Sequence, residues 1–282
     1  MTAETGDSIS SELSGHPPIW VTQRNDGTYL NDAKVIKGPM EAKTRDGSSQ
    51  YLYMIDRVLE PTIPTTADSS LFNPDAKKYL EKHSQYSITK GRALANFARR
   101  VVEVQQDFLL KSTGKNTFFI PIDEALKKES VKSAITDKVA AGHVIPNEAI
   151  FLRLAKPGDE FKTAAMAVNF EVFASIENRT GADGKNIWVV QSNTKLADAG
   201  HRTGIVQTEV LIGNIPVKNG VVHIISKPLV VIDETVHQTL LADHTNGGLM
   251  QQFVSVFRDK ARDLFDDLLK GNETTLFVPS NE

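Results

Sequence analysis

The run KNGVVHIISKPLVVID, residues 218–233, places one histidine inside an otherwise aliphatic segment. Alternation along the run predicts a β-strand with His223 on one face and Ile224 on the other. The preceding Asn219-Gly220 pair predicts a tight turn. We interpret His223 as a scaffold residue whose buried imidazole hydrogen-bonds to the backbone and fixes strand ends. A catalytic or metal-binding role and a solvent-facing position are the alternatives.

The sequence contains an internal repeat that extends outward from this run. NTFFIPIDEAL, from Asn116, returns as TTLFVPSNE, from Thr274; NIWVVQSN echoes PIWVTQRN, and VVHIISKPLVV echoes YLYMIDRVLEP. The three pairs share a spacing of about 160 to 170 residues. Their order predicts tandem units cut out of frame. The predicted units are the C-terminal part of one domain (1–66), a complete domain (67–235) and the N-terminal part of the next (236–282).

Helical signals come first in the complete unit. Asn73 is predicted to cap a helix whose first residue is Pro74. Asp123 is predicted to cap the helix that follows it, and a further helix over 131–141 should end at Gly142. Steps of three and four residues predict one apolar helical face made of Leu94, Phe97, Val101, Val104 and Phe108.

Strand signals follow the helical ones. Residues 117–120 form a short β-type run that ends at Pro121, and HVIP, AIFLRL, MAVNFEVFASI, NIWVVQSN, TGIVQTEVLIG and NGVVHII come later. Trp20 and Trp188 occupy matching strand-like runs and are predicted to anchor the core. Helices before strands indicate the α+β class, with helices packed on a mixed or antiparallel sheet.

Composition limits the classes of function. The chain has 282 residues, a net charge of −3 and no cysteine. The charge gives no electrostatic reason to expect a nucleic-acid partner, and no apolar run is long enough to span a membrane. The missing cysteines fit a reducing compartment and equally a secreted protein that is stable without disulfides. Asn178 and Asn272 each begin an N-x-T sequon and are the candidate glycosylation sites.

Catalytic motifs are missing from the sequence. It contains no G-x-S-x-G elbow, phosphate-binding loop, G-x-G-x-x-G or EF-hand loop, and its seven histidines have no metal-ligand spacing. We therefore predict neither an enzyme nor a bound cofactor or metal. The cations Lys90, Arg92, Arg99 and Arg100 are interpreted as a solvated helix face; a heparan-sulfate patch is the alternative.

Three ordered motifs, NTFFIPIDEAL, GHVIP and NGVVHIISKPL, resemble the fasciclin domain. Members of this family are extracellular adhesion modules arranged in tandem, and the insect members are neural surface glycoproteins with a glycolipid (GPI) anchor. The resemblance implies a fasciclin-type wedge of sheet and helices, with the anchor outside these 282 residues. The residues that match the motifs and are expected to be structural are Thr117, Phe119, Pro121, His143, Pro146, Asn219, Gly220 and His223.

The resemblance implies an extracellular cell-adhesion module that mediates cell–cell contact in axon guidance, with other adhesion molecules or a second copy as partner. Binding to integrin, matrix or glycosaminoglycan is the alternative. Two motifs proposed for integrin binding in vertebrate relatives are altered, because Gly142 stands where a tyrosine precedes the histidine and GNIPV, residues 213–217, lacks an acid. The partial units are expected to be less stable than the complete one, or else to pair with each other.

Overall fold

The protein folds into two β-sheets and a set of short helices. The structure, a computed structural model, describes residues 8–167, 170–181, 183–196, 204–232, 236–245, 248, 250–267 and 275–281. Helices and a mixed sheet together confirm the predicted α+β class.

The N-terminal sheet has five antiparallel strands in sequential order. This arrangement needs only short connections between neighbouring strands. Its strands are β1 (Ser8–Ser10), β2 (Pro18–Arg24), β3 (Gly27–Leu30), β4 (Ala33–Lys43) and β5 (Ser49–Ile55).

The larger sheet has seven strands, which are β6 (Asn116–Pro121), β7 (Val144–Ile145), β8 (Phe161–Ala167), β9 (Phe170–Thr180), β10 (Asn186–Leu196), β11 (Gly204–Val217) and β12 (Gly220–Ile225). Their order in the sheet is β7-β6-β12-β11-β10-β9-β8. The β6–β12 pair is parallel and the other neighbouring pairs are antiparallel. The predicted turn before β12 is confirmed, since Val217 pairs with Gly220 across two residues.

Eight α-helices surround or follow this sheet in the described ranges. They are α1 (Ala76–Glu81), α2 (Ala95–Glu103), α3 (Asp107–Lys111), α4 (Glu129–Ser133), α5 (Asp137–Gly142), α6 (Val236–Thr245), α7 (Gln251–Lys260) and α8 (Arg262–Asp267). Short 3-10 helices occupy Ser69–Leu71, His83–Gln85, Ser87–Thr89, Asp123–Leu126 and Leu152–Leu154. No helix in the described part of the chain has the length and apolar character needed to cross a bilayer.

Strands β6 and β12 lie between two apolar clusters. Phe118 and Val222 face the cluster formed with the helices, whereas Phe119 and Ile225 face a second cluster that includes residues of β9 and β10. The predicted alternation along β12 is therefore confirmed. All six residues of each strand are buried.

The first helix begins later than predicted. Asp75, and not Asn73, caps α1, and its carboxylate accepts a hydrogen bond from the Lys78 N–H at 2.8 Å. Asn73 has a φ of +47° and donates its side-chain amide to the Gly15 and His16 carbonyls. The prediction placed the cap two residues too early because Asn and Asp both cap helices well.

The predicted apolar face over 94–108 is broken by a helix end. Gln105 adopts a φ of +59°, and the Gln106 N–H bonds to the Val101 carbonyl at 2.9 Å, which closes α2 with a left-handed C-terminal turn. Leu94, Phe97 and Val101 are buried, but Phe108 is 59% exposed on α3.

The predicted helix over 131–141 is two helices. Thr136 caps α5 by accepting a hydrogen bond from the Val139 N–H at 3.3 Å. Between α4 and α5, the buried Ile135 accepts a hydrogen bond at its carbonyl from the Arg100 Nε at 2.9 Å. The break places the Ile135 side chain in the core, whereas a continuous helix would direct it away from the core.

Two further predictions of local structure are wrong. Asp123 caps α2, not the turn that follows it, because its carboxylate accepts a hydrogen bond from the Asn96 N–H at 2.8 Å. AIFLRL contains a 3-10 helix instead of a strand. Its backbone N–H groups at Ile150 and Leu152 bond to the side chains of Thr117 and Asn214, so no neighbouring strand is required.

Candidate functional site

His223 bridges two backbone segments from the middle of β12. Its Nε2 lies 2.8 Å from the Ile150 carbonyl, and its Nδ1 accepts a hydrogen bond from the Asn214 N–H at 3.2 Å. Its ring stacks on Phe119, with centroids 5.7 Å apart. Complete burial lowers the pKa of His223 to about 4. The imidazole is therefore neutral at pH 7, with the proton on Nε2 donated to Ile150.

His143 forms a second bridge with the opposite tautomer. Its Nδ1 lies 2.7 Å from the Val139 carbonyl in α5, and its Nε2 accepts a hydrogen bond from the Leu229 N–H at 2.9 Å. Burial lowers its pKa to about 4 as well. This histidine ties the last turn of α5 to the segment that follows β12, so each histidine uses both ring nitrogens within the protein.

The turn before β12 connects the sheet to the helices. The Asn219 side chain accepts a hydrogen bond from the Ala76 N–H at 2.9 Å and donates to the Leu110 and Ser112 carbonyls at 3.1 and 2.9 Å. Gly220 is required by close approach, because a Cβ there would lie 1.8 Å from the Asn116 carbonyl oxygen. Asn219 and Gly220 were expected to be structural, and they lie at the contact between α1, α3 and β6.

The other matched residues lie on or near β6. The Thr117 hydroxyl donates to the Glu148 carbonyl at 2.7 Å and accepts from the Ile150 N–H at 2.8 Å. Pro121 is the buried last residue of β6, and Pro146 is exposed in the turn after β7. Thr117 and His223 thus bind the same backbone segment, one through its N–H and one through its carbonyl.

Sequence reasoning missed Asn214. It has a φ of +60°, lies where the β11–β12 register shifts, and accepts the Leu152 N–H at 2.8 Å. Its side chain also donates to the Asp32 carboxylate at 3.3 Å. An asparagine followed by a β-branched residue inside a strand run was the available signal, since Asn tolerates the left-handed conformation that a bulge requires.

The N-terminal sheet contacts the larger domain through Trp20. This side chain is buried with Phe151, Leu154 and Val221, and its indole N–H donates to the Gly220 carbonyl at 3.2 Å. The prediction of a core anchor is confirmed for Trp20. Trp188 is only partly buried against the second cluster.

Polar groups reinforce the same contact. Arg153 pairs with Asp56 at 2.5 Å, and the Thr62 hydroxyl donates to the Pro216 carbonyl at 2.6 Å. These two contacts join the N-terminal segment to residues of the larger domain. They therefore fix how the N-terminal sheet packs on that domain.

The structure describes one of the two predicted glycosylation sites. Asn178 is exposed near the end of β9, opposite Trp188 on β10, and not in the turn where its sequon was expected. Asn272 lies outside the described residues. The segment 275–281 that follows it was expected to contain a strand and does not.

The four cations do not share one helix face, because Lys90 and Arg92 precede α2, and they are partly committed to internal contacts. Arg100 bonds to the Ile135 carbonyl and to Glu103, at 2.9 and 3.1 Å. Lys90 and Arg99 are exposed, and Arg92 is half-buried. Fewer of these four cations are therefore available to bind a polyanion than the sequence suggested.

Neither histidine that matches the motifs is arranged as a catalyst or as a metal ligand. Both histidines that match the motifs are buried, neutral and saturated with backbone partners, so neither can take a proton from a substrate. No group of three or more His, Asp or Glu side chains in the described ranges could hold a metal ion. The arrangement acts as a scaffold that locks β6, β12 and the 150–152 segment together.

The mixed sheet contains a buried NGVVH strand, and two buried histidines each hold separate backbone segments together. These features point to one class of protein domain. Residues 92–231 match the fasciclin domain, so this part of the chain belongs to the fasciclin domain family.

Two curated relatives are similar to nearly the whole chain. It is 38% identical to Fasciclin-1 of Schistocerca americana over 99% of its length, and 33% identical to Fasciclin-1 of Drosophila melanogaster over 98%. The chain spans 42% of each relative. A solved FAS1 domain pair from the insect cell adhesion molecule Fasciclin I matches 68% of this chain and 62% of that chain, at 20% identity and a TM-score of 0.37.

Proposed function

We propose that this chain is an extracellular cell-adhesion module that acts through protein–protein contacts between cells. The observation that carries the proposal is its 38% identity, over 99% of the chain, to an insect Fasciclin-1. The proposal includes homophilic contact in axon guidance and attachment to the cell surface by a glycolipid anchor.

The scaffold geometry supports a binding function over a catalytic one. The polar side chains that match the family motifs are buried and bonded to backbone groups of their own domain, as His143, Asn219 and His223 show. A rigid interior of this kind presents an outer surface of fixed shape. Adhesion specificity arises from shape and a few anchor residues on such a surface, and it needs no short motif.

The domain division is also a proposal. We assign the complete fasciclin domain to residues 67–235, with partial domains in 1–66 and 236–282. The main apolar cluster supports this division, because it starts at Leu71, includes Tyr79 and reaches Val231. A separate cluster of Leu240, Val254 and Phe265 supports a distinct C-terminal unit.

We propose that Asn178 carries a glycan when the chain passes through the secretory route. The side chain is exposed, and so is Thr180, the third residue of the sequon. Expression in insect cells should give a mass increase that peptide N-glycosidase F removes, and Thr180→Ala should remove the increase at Asn178. An unmodified Asn178 in secreted protein would contradict the proposal. Asn272 is proposed as a second acceptor and is tested in the same digest.

Homophilic adhesion is tested with the whole secreted chain on beads. Beads that carry the chain should aggregate with one another, and red and green beads that both carry it should mix in the aggregates. Beads coated with the chain after heat denaturation are the control. Dispersed beads at high coating density would refute homophilic contact.

Cell-surface attachment and the neural setting need the longer natural protein. Phosphatidylinositol-specific phospholipase C should release it from cells, and antibodies against this chain should stain growing axons. Retention after the phospholipase would refute the anchor, and staining confined to other tissues would refute the neural role.

Binding to matrix or glycosaminoglycan is the second candidate, and the exposed Lys90 and Arg99 are the observation in its favour. The engagement of Arg100 with Ile135 and Glu103 weighs against it. Retention on a heparin column above about 0.3 M salt, lost in a Lys90→Ala/Arg99→Ala variant, would support this candidate, since phosphate-like contacts depend steeply on salt. Elution at physiological salt would leave adhesion between proteins as the function.

A further inference from the structure

A tryptophan stands directly opposite the exposed Asn178 in the larger sheet. Strands β9 and β10 are antiparallel, and Asn178 pairs with Trp188 across them. Residues that pair in this way project from the same face of a sheet, with Cβ atoms roughly 4.5–5.5 Å apart. The indole packs against the second apolar cluster and keeps part of its surface open. A group that is bonded to the Asn178 amide therefore starts beside this indole.

The pair continues an apolar face of the sheet. Ile176 and Val190 pair with each other two residues further along the same two strands, and both are fully buried in the second cluster. Asn178 and Trp188 lie on this face because side chains alternate along a strand. The neighbouring Arg179 projects from the opposite face, where it bonds to carboxylate and amide side chains. A substituent on Asn178 thus meets an aromatic surface and not an ion pair.

The position has room for a bulky substituent. Strand β8 pairs with β9 over residues 170–174, which leaves Asn178 on an edge with no described strand on its outer side. The Asn178 side chain is exposed and makes no hydrogen bond within the described residues. A sugar on this amide therefore breaks no bond of the described structure. Both members of the pair lie in the proposed complete domain, between strands of that domain.

The first sugar of an N-linked glycan is chemically suited to the face of an indole. N-acetylglucosamine is bonded through its C1 carbon to the asparagine amide nitrogen, so its ring lies close to the side chains beside that asparagine. Both faces of the sugar ring present C–H groups that the ring and hydroxyl oxygens polarise. The face of an aromatic ring is negative and attracts such groups. Stacking also buries apolar surface of both rings, while the hydroxyl groups stay in water.

We propose that the first N-acetylglucosamine on Asn178 packs its C–H face against the indole of Trp188. This inference rests on the glycosylation of Asn178 proposed above, and it names the protein surface that holds the sugar. The contact covers the open part of the indole. It also ties the end of β9 to β10, because a sugar bonded to one strand touches a side chain of the other.

Quenching of tryptophan fluorescence tests the contact without a change at either residue. The chain has two tryptophans and Trp20 is 5% exposed, so acrylamide quenching reports mainly on Trp188. Thr274→Ala removes the second sequon, which leaves Asn178 as the acceptor. Chain from kifunensine-treated mammalian cells, trimmed with endoglycosidase H, keeps one N-acetylglucosamine, and the same sequence made in bacteria carries none. The quenching constant should be about twofold lower in the form with the sugar.

Variants at position 188 separate a stacked sugar from one that is only attached. Hydrogen exchange of residues 186–189 is measured with and without the sugar in the wild type, Trp188→Phe and Trp188→Leu. The sugar should slow exchange about fivefold in the wild type and less than about twofold in Trp188→Leu, which keeps an apolar side chain but no aromatic face. Trp188→Phe keeps a smaller aromatic face and should give an intermediate effect.

Two outcomes would overturn the contact and leave the glycosylation intact. One is unchanged quenching in a chain whose mass shows a sugar on every Asn178. The other is equal slowing of exchange in the wild type and both variants. The quenching comparison needs no variant at 188, so it decides the question even where Trp188→Leu does not fold. A mass that shows no sugar on Asn178 would refute the glycosylation itself, and this contact with it.

Discussion

Acidification should destabilise the domain through its two buried histidines. His143 and His223 have pKa values of about 4 in the folded protein because burial disfavours their charged form, against an ordinary value of 6.5. The unfolded chain therefore binds these protons first as the pH falls. Stability is full above pH 6.5, decreases between 6.5 and 4, and is not lowered further by these groups below pH 4.

The size of the effect follows from the two pKa values. One pKa unit corresponds to about 1.4 kcal/mol. Between pH 7.5 and pH 5 each histidine should lower the free energy of unfolding by about 2 kcal/mol, so the pair lowers it by about 4 kcal/mol. This is a large part of the 5–15 kcal/mol that is typical of folded domains.

Urea denaturation followed by tryptophan fluorescence measures this change at pH 7.5, 6.5, 5.5 and 5.0. The matched variants are His143→Gln and His223→Gln, whose amides retain a hydrogen-bond donor but do not titrate. Each should lower stability at pH 7.5 by about 1–3 kcal/mol through its lost bond. Each should also remove about half of the loss on acidification. An equal pH dependence in the wild type and both variants would refute the reasoning.

Three further outcomes test the scaffold. Asn219→Ala should cost about 3 kcal/mol or more in urea denaturation, because it removes three buried bonds, whereas the exposed Asn186→Ala should cost under about 0.5 kcal/mol. Gly220→Ala should yield no folded protein by circular dichroism, because its Cβ would overlap a backbone oxygen, and Gly142→Ala, with its nearest neighbour at 3.7 Å, should fold. Trp20→Ala should raise hydrogen exchange in β2–β5 while β6 and β12 keep their protection. The reason is that about 3–5 kcal/mol of packing free energy is lost only where the two sheets meet. Equal exchange throughout would show that both sheets unfold as one unit.

The strand that closes the domain was predictable because its signals are local. Alternation fixes the two faces of β12, and Asn219-Gly220 fixes the turn before it. The partners of His223 were not predictable, because Ile150 lies 73 residues away and its position depends on the whole sheet. The sequence could predict that this imidazole is buried but could not predict which carbonyl it binds.

The wrong predictions of where elements begin and end have a shared cause. The apolar spacing of three and four residues continues through 104–106, where Gln105 takes a left-handed conformation without a glycine to mark it. Residues 149–154 have the apolar composition of a strand, but Thr117 and Asn214 satisfy their N–H groups from distant parts of the chain. Spacing and composition report which residues are buried better than they report where an element ends.

The parallel pairing of β6 with β12 sets the order of events during synthesis. Asn116 and Asn219, which bond to each other, are 103 residues apart. At ~5–20 residues per second, β6 leaves the ribosome ~5–20 s before its central partner. The helices α1 and α2 precede β6 and can already cover Phe118 and Ile120. The edge of β6 that pairs with β12 stays open until β12 arrives, so the nascent chain passes through an interval in which an apolar strand edge is available to neighbouring chains and to chaperones.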